Sequence, residues 1–374
     1  MRADAGRPSL HPAGQGAPVD WTAVRRVLLV RMDNLGDVVL VTPLLRALRA
    51  ALAPGARLDL LASPGGAALA PVLPHVDEVH AWRASWQDAA GTLPVDPQRE
   101  AALIDLMRGY DAVVVSTSFS QSPWPAAYAA YLAGAPVRVG QSREFGGSVL
   151  SSWVLPAADD ESAHQVDRGL RMLAAAGVPG RGPELELVVP AQAQARAAQV
   201  LAAAGSDGAP LVLLAPGASA PARRYPRYAE VVAGLREQGA RVVVVGTASE
   251  QSLVEQVSGG VNAVVGQLDV PALVAAVAAA DAVVTNNSGS MHLADAVGTP
   301  SVVLFAGTET LGQYAPRGGW TTPLNRPTTC TPCRGFTCPY AQECLDIEPA
   351  EVVAATVAQL GSRARPSPAA SVPA

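Results

Sequence analysis

The feature that most limits how this chain can fold is a pair of strand series. Each is a set of short apolar, β-branched runs spaced by alanine- and leucine-rich stretches of helical length. The first series runs Arg26-Val-Leu-Leu-Val-Arg31, Arg57-Leu-Asp-Leu-Leu-Ala62, Glu78-Val-His-Ala81, Ala112-Val-Val-Val-Ser116 and Val137-Arg-Val139, with a helix expected from about Asp37 to Leu52. The second runs Leu211-Val-Leu-Leu-Ala215, Arg241-Val-Val-Val-Val245, Asn262-Ala-Val-Val265, Asp281-Ala-Val-Val-Thr285 and Ser301-Val-Val-Leu-Phe305. Strands that are apolar throughout are buried on both faces, as in a parallel sheet, and the helices between them complete βαβ units. The fold class expected is therefore α/β, with two doubly wound halves at residues 23–180 and 190–348. Gly177-Val-Pro-Gly-Arg-Gly-Pro183 is rich in helix and strand breakers and suits a linker between them. Such a pair places a ligand cleft between the halves, at the carboxyl ends of the strands. A helix is expected at 349–361, and residues 1–22 and 362–374 read as a disordered arm and tail.

Composition excludes several functions. The 374 residues carry a formal net charge of −5 with no basic run, which argues against nucleic acid as a partner. No apolar stretch of about 18 residues lacks a charge or a proline, so no membrane-spanning helix is expected. The N-terminus has no apolar core of a signal peptide, and a cytoplasmic location is expected. All 27 basic residues are arginine. Without lysine there is no P-loop, no kinase strand lysine and no Schiff-base chemistry. Any anionic group must be held by arginine, backbone N–H groups or helix ends.

Three loops follow strand ends and could carry chemistry. In Arg31-Met-Asp-Asn-Leu-Gly-Asp37, Asn34, Gly36 and Asp37 sit where strand passes into helix. Asp37 could cap the helix or face the cleft as a general base, with Asp33 as the rival carboxylate. In Asn286-Asn-Ser-Gly-Ser-Met-His292, small residues would let a ligand approach the N–H groups of Ser288, Gly289 and Ser290. The same run could be an ordinary capped turn, and His292 either a satisfied core histidine or a donor in the cleft. In Pro216-Gly-Ala-Ser-Ala-Pro-Ala-Arg-Arg-Tyr-Pro226, Ser219 and the pair Arg223 and Arg224 suit a phosphate-bearing ligand, or else form a solvated arginine pair. Glu250, beyond another strand, could accept from ribose hydroxyls. The clustered Cys330, Cys333, Cys338 and Cys344 could close a structural zinc site, form a redox-sensitive staple or stay reduced. No Asp-x-Asp pair offers magnesium a site.

Taken together, Val27–Val38 with Thr42-Pro-Leu-Leu45, Pro216-Gly-Ala-Ser219 with Arg223-Arg-Tyr-Pro226, and Asn287-Ser-Gly-Ser-Met-His-Leu-Ala294 with Gly298-Thr-Pro300 resemble glycosyltransferase family 9, the lipopolysaccharide heptosyltransferases. His164-Gln-Val-Asp-Arg168 and the cysteine cluster are similar to members as well. The resemblance spans about residues 25–355. It implies a GT-B fold of two Rossmann-like domains, with acceptor on the first and nucleotide sugar on the second, and a final helix crossing back to the first. It implies inverting transfer with no metal or other cofactor in the reaction. The expected donor is ADP-heptose and the acceptor a glycan or glycolipid of the cell envelope, with peripheral contact at the inner membrane. By the same resemblance Asp37 matches the catalytic base and Arg223 the phosphate-binding lysine. Ser219 matches a hydroxyl near the phosphates, and Ser288, Gly289 and His292 the diphosphate-binding turn. Glu250 matches the ribose-binding acid, and Asn287 stands where many relatives have aspartate. Rival readings are a GT-B epimerase and a non-catalytic nucleotide-sugar binder. A dehydrogenase would need G-x-G-x-x-G where this chain has Asp-Asn-Leu-Gly-Asp.

Overall fold

The computed structural model describes residues 19–361 apart from 89, 90, 119, 120, 161, 206 and 207. The expected tail 362–374 and the first 18 residues of the expected arm lie outside the described residues. From Val19 onward the arm is part of the fold, a correction to its expected boundary. Trp21 is buried and its indole N–H donates to the Ala176 carbonyl at 2.8 Å.

The first half holds β1 (Arg26–Arg31), β2 (Arg57–Ala62), β3 (Glu78–Ala81), β4 (Ala112–Val115), β5 (Val137–Gln141) and β6 (Ser152–Val154). They form one sheet in the order β3-β2-β1-β4-β5-β6, parallel throughout. The second half holds β7 (Leu211–Ala215), β8 (Arg241–Gly246), β9 (Ala263–Val265), β10 (Ala282–Asn286), β11 (Ser301–Leu304) and β12 (Thr321–Leu324). Its order is β12-β11-β10-β7-β8-β9, again all parallel. Counted from the first strand of each half, the two sheets share one topology, with switch points at β1/β4 and β7/β10. β6 and β12 were not expected. Both are edge strands of mixed polarity, and β12 carries Pro323, which only an edge tolerates.

The helix expected over 37–52 is two helices, Leu35–Val39 and Thr42–Ala51. Pro43 has no N–H to give and its ring crowds the preceding turn, so it starts a helix and cannot continue one. Residues 177–190 form no helix or strand and act as a strap on the first half. Arg46 holds it, pairing with Glu186 at 2.7 Å and donating to the carbonyls of Gly182 and Glu184 at 3.0 and 3.1 Å. The last helix, Pro349–Gly361, packs on the helix Tyr228–Glu237 and on β10 and β11. Val352 is fully buried there, in the core of the second half. The expected return to the first half is thus corrected: the apolar side of this helix is spent on its own half.

The halves are packed together. One apolar cluster runs from Leu29, Val38 and Leu69 into Leu213, Ala276 and Leu293. Polar contacts add to it: Gln165 to the Tyr314 hydroxyl at 2.9 Å, His164 to the Ala315 carbonyl at 3.2 Å, and Arg317 to Asp167 at 2.6 Å. Among the described residues no helix is long and apolar enough to cross a membrane.

Candidate active site

β1 delivers Arg31 at its carboxyl end, buried between the sheet and the loop that follows. Its Nη2 reaches Asp37 Oδ1 at 2.9 Å, and its Nε lies 2.8 Å from Asp33 Oδ2. The second contact is a charge pair without hydrogen-bond alignment, since neither atom has a properly directed partner. Nη1 approaches Ser116 Oγ at 3.4 Å. Burial pushes the Asp33 carboxyl up to about 6, against the pull of Arg31 and with the push of Asp37. Burial would lower Arg31, but the two carboxylates outweigh it and raise it. Asp37 is not a helix cap. Asn34 holds that position, exposed and with extended backbone, and Asp37 lies in the first turn of Leu35–Val39, 19% exposed.

Across the interface, β10 ends at Asn286 and the helix Gly289–Val297 begins. Gly36 lies against this start: a Cβ built on it would stand 3.1 Å from Gly289 Cα and 2.9 Å from His292 Cδ2. The carboxylate-bearing turn of one half therefore touches a helix N-terminus of the other, where N–H groups and the helix dipole favour an anion. Gly289 and Ser290 occupy the first two helical positions. Ser288 contributes differently from expectation, because its N–H already donates to the Asn286 carbonyl at 2.8 Å. His292 is a buried core histidine. Burial pulls it down to about 3, so it is neutral, and its Nδ1 has no partner among the described residues.

The third element is the loop after β11. Glu309, half-buried, pairs with Arg223 at 2.7 Å, and Thr308 accepts from Arg223 Nε at 3.1 Å. Burial raises the Glu309 carboxyl; Arg223 pulls it back and Asp37 pushes it further, so the two acids feel each other. Asn287 is buried and structural: its Oδ1 accepts from the Ala306 N–H at 3.1 Å and its amide leans on Thr308 at 3.5 Å.

Arg31, Asp33, Asp37, Glu309, Arg223 and the Gly289 turn thus share one seam. Other expected residues stand apart. Arg224 turns back to the Ala218 carbonyl at 3.2 Å, and Ser219 is exposed on its loop. Glu250 closes a capping box with Thr247, accepting from its N–H at 2.9 Å, and crowds Gly217 at the end of β7. The four cysteines are free, with Cys330 and Cys333 exposed. Among the described residues no group of three or more His, Cys, Asp or Glu is placed to hold a metal ion, so the zinc reading of the cluster finds no ligand cage. Arg31 and Glu309 were missed. Glu309 had a signal, a polar Thr-Glu-Thr run at the carboxyl end of a parallel strand. A narrow hollow lined by Ser116, Gln141, Gln165 and Arg168 lies next to Arg31. A cavity of about 330 Å³ beside Trp21 and Gly177 shares no residue with the site.

The model of glycosyltransferase family 9 (heptosyltransferase) matches residues 104–343. The chain is 33% identical over 111 residues to lipopolysaccharide heptosyltransferase 2 of Salmonella typhimurium, and 32% identical over 111 residues to that of Escherichia coli. Each alignment covers 27% of this chain and 32% of the relative, so the chain spans about a third of the length of these curated relatives. A glycosyl transferase family 9 structure from Veillonella parvula superposes with a TM-score of 0.72 at 20% identity, covering 92% of this chain and 99% of the other. An ADP-heptose lipopolysaccharide heptosyltransferase II from E. coli superposes with a TM-score of 0.70 at 24% identity, covering 90% and 98%. At these identities the likeness is one of fold, the two-sheet GT-B architecture.

Proposed function

The chain belongs to glycosyltransferase family 9, and on that premise we propose that it transfers a heptose-like sugar from ADP-heptose to a hydroxyl of a lipopolysaccharide core or related envelope glycan, with inversion. The observation that carries this reading is the seam itself. A carboxylate in the first helical turn after β1, fixed at 2.9 Å by Arg31, faces the start of the helix Gly289–Val297 through a contact of two glycines. The names of the relatives support the donor and acceptor classes.

The acceptor hydroxyl gives its proton to Asp37 as its oxygen attacks C1 of the sugar. The bond from C1 to the phosphate oxygen breaks on the opposite face, and its electron pair leaves with the nucleoside diphosphate. The N–H groups at Gly289 and Ser290 and the guanidinium of Arg223 meet that charge. Preorganised donors of this kind are worth roughly 2.7–4 kcal/mol each when lost. Positive charge for the leaving group then comes from the protein, with no metal needed in the step. Work at the inner face of the membrane follows from a lipid-anchored acceptor.

Incubation with ADP-heptose, UDP-glucose and GDP-mannose, each with de-acylated lipopolysaccharide core, tests the reading. A new glycoside of inverted anomeric configuration, formed from ADP-heptose, is expected. A free epimer, or nucleotide-sugar binding with no turnover, would overturn it. Asp37→Asn should lose about 10²–10⁴ in turnover, the usual share of a general base.

A further inference from the structure

The geometry points to Asp33 as a positioning residue for Asp37, acting through the single guanidinium that both carboxylates share. It rests on the reading of Asp37 as the base. Arg31 uses two separate edges: Nε faces Asp33 Oδ2 at 2.8 Å, and Nη2 holds Asp37 Oδ1 at 2.9 Å. The side chains of Arg31 and Asp33 are only 2% and 4% exposed, against 19% for Asp37. A charge pair buried that deeply does little for stability, because desolvation offsets the attraction. Its geometry calls for another explanation.

Two consequences for Asp37 supply one. First, the charge of Asp33 draws the Nε edge of the guanidinium to its own side, which leaves Nη2 to hold Asp37 Oδ1. Oδ2 of Asp37 is then the oxygen that meets the acceptor. Second, Asp33 offsets the charge of Arg31. A buried arginine paired with Asp37 alone would hold that carboxylate in its ionised form and make it a poor proton acceptor. With the second carboxylate in place, the net charge beside Asp37 is near zero. When Asp37 takes the acceptor proton, a neutral Arg31–Asp33 pair remains.

The other groups facing this triad do not substitute for Asp33. Glu309 approaches Asp37 from the loop after β11 and is engaged with Arg223. Tyr314, from the second half, lies near both Asp37 and Arg31, with its hydroxyl raised to about 12 by burial, so it is neutral. Gln121 faces Asp33. Arg168, on the helix Gln165–Ala175, lies near Arg31 and is drawn to Asp160. His292, packed on Gly36, is neutral. Among the described residues only Asp33 is an anion on Arg31's second edge.

The test is a carbon-13 NMR titration of the full chain labelled at aspartate carboxyl carbons, with the Asp37→Asn spectrum assigning the Asp37 signal. In the unaltered chain the Asp37 signal should move near pH 6, where Asp33 takes its proton beside the shared guanidinium, and in Asp33→Asn that step should vanish. Asp33→Glu should restore it, and Asp33→Ser gives a second neutral variant should the asparagine protein fail to fold. An Asp37 signal with no step near pH 6 in the unaltered chain, or one whose step survives in both neutral variants, overturns the proposal. This readout does not depend on turnover, so it stands apart from the function itself. With ADP-heptose, Asp33→Asn should lower kcat roughly threefold to tenfold, part of the about 10²–10⁴ that a base contributes, remove the change of kcat with pH near 6 and leave the donor KM unchanged. Full turnover by Asp37→Asn would refute the base reading alone.

Discussion

Gly36 in the first half and Gly289 in the second lie face to face, so close that a Cβ on Gly36 would sit 3.1 Å from the Gly289 Cα. The nearest atom to that Cβ would be His292 Cδ2 at 2.9 Å, on a ring packed in the core. Neither neighbour can yield cheaply, so Gly36→Ala should wedge the halves apart. We expect kcat to fall at least tenfold, since about 1 Å of misplacement at a reacting centre costs on the order of 10². Gly289→Ala meets the flexible end of Leu35 at 3.2 Å and the Gly36 N at an ordinary 3.6 Å, and should be milder. Steady-state kinetics of the two variants check the contrast; equal losses would contradict it.

Arg223 is engaged by Glu309 at 2.7 Å, and an incoming diphosphate would have to compete for it. Glu309→Gln keeps the shape and removes the charge. ADP affinity should rise by about 1 kcal/mol, or roughly fivefold, and Arg223→Ala should lower it. Calorimetric titration with ADP measures both. An affinity unaffected by either change would remove Arg223 from the phosphate site.

The pH dependence of stability has a defined sign. His164 and His292 are each pulled down to about 3, for both chiefly by burial, from an unfolded value of 6.5. Between those values the unfolded chain binds protons that the folded chain does not. Their stabilisation is therefore complete above about pH 6.5 and lost as pH falls toward 3, at up to about 1.4 kcal/mol per pH unit for each ring. Asp33, raised to about 6, works in the opposite sense over a narrower range. Thermal midpoints should fall between pH 6.5 and 4.5, and His292→Gln should flatten the slope. A midpoint that rises over this interval would contradict the assignment.

Asn286 ties the end of β10 to the loop after β7. Its side chain accepts from the Tyr225 N–H at 3.0 Å and the Tyr228 hydroxyl at 2.9 Å, and donates to the Pro216 carbonyl at 2.8 Å. Asn286→Ala leaves buried polar groups unpaired at a cost of about 2–3 kcal/mol. Thermal unfolding should show a drop on the order of 5 °C. A shift below one degree would mean that the loop re-forms its bonds elsewhere.

The strands buried on both faces were legible residue for residue, as β1, β2 and β7 demonstrate. Their apolar runs leave no other reading. The edge strands β6 and β12 were not, because half of an edge strand is free to be polar. Asp37, Gly289 and Arg223, read from their places at strand ends, are brought to one seam by the fold. Arg31 was hidden by its position inside an apolar strand, where its charge looked like a boundary. Its role depends on a loop carboxylate and on burial, which neighbours in space decide. Glu309 depends likewise on Arg223, far away in the chain. Asn287 and Glu250 were polar at the right places but serve the scaffold, a distinction made by hydrogen-bond partners alone.

The strap between the halves joins two sheets of identical strand order and is clamped by Arg46 to the first. A break within it would leave two pieces, each with a complete sheet, but with Asp37 on one and Arg223 on the other. Turnover in a mixture of the two would rise with the product of their concentrations until the seam saturated. The intact chain escapes that second-order regime because its own tether supplies the local concentration.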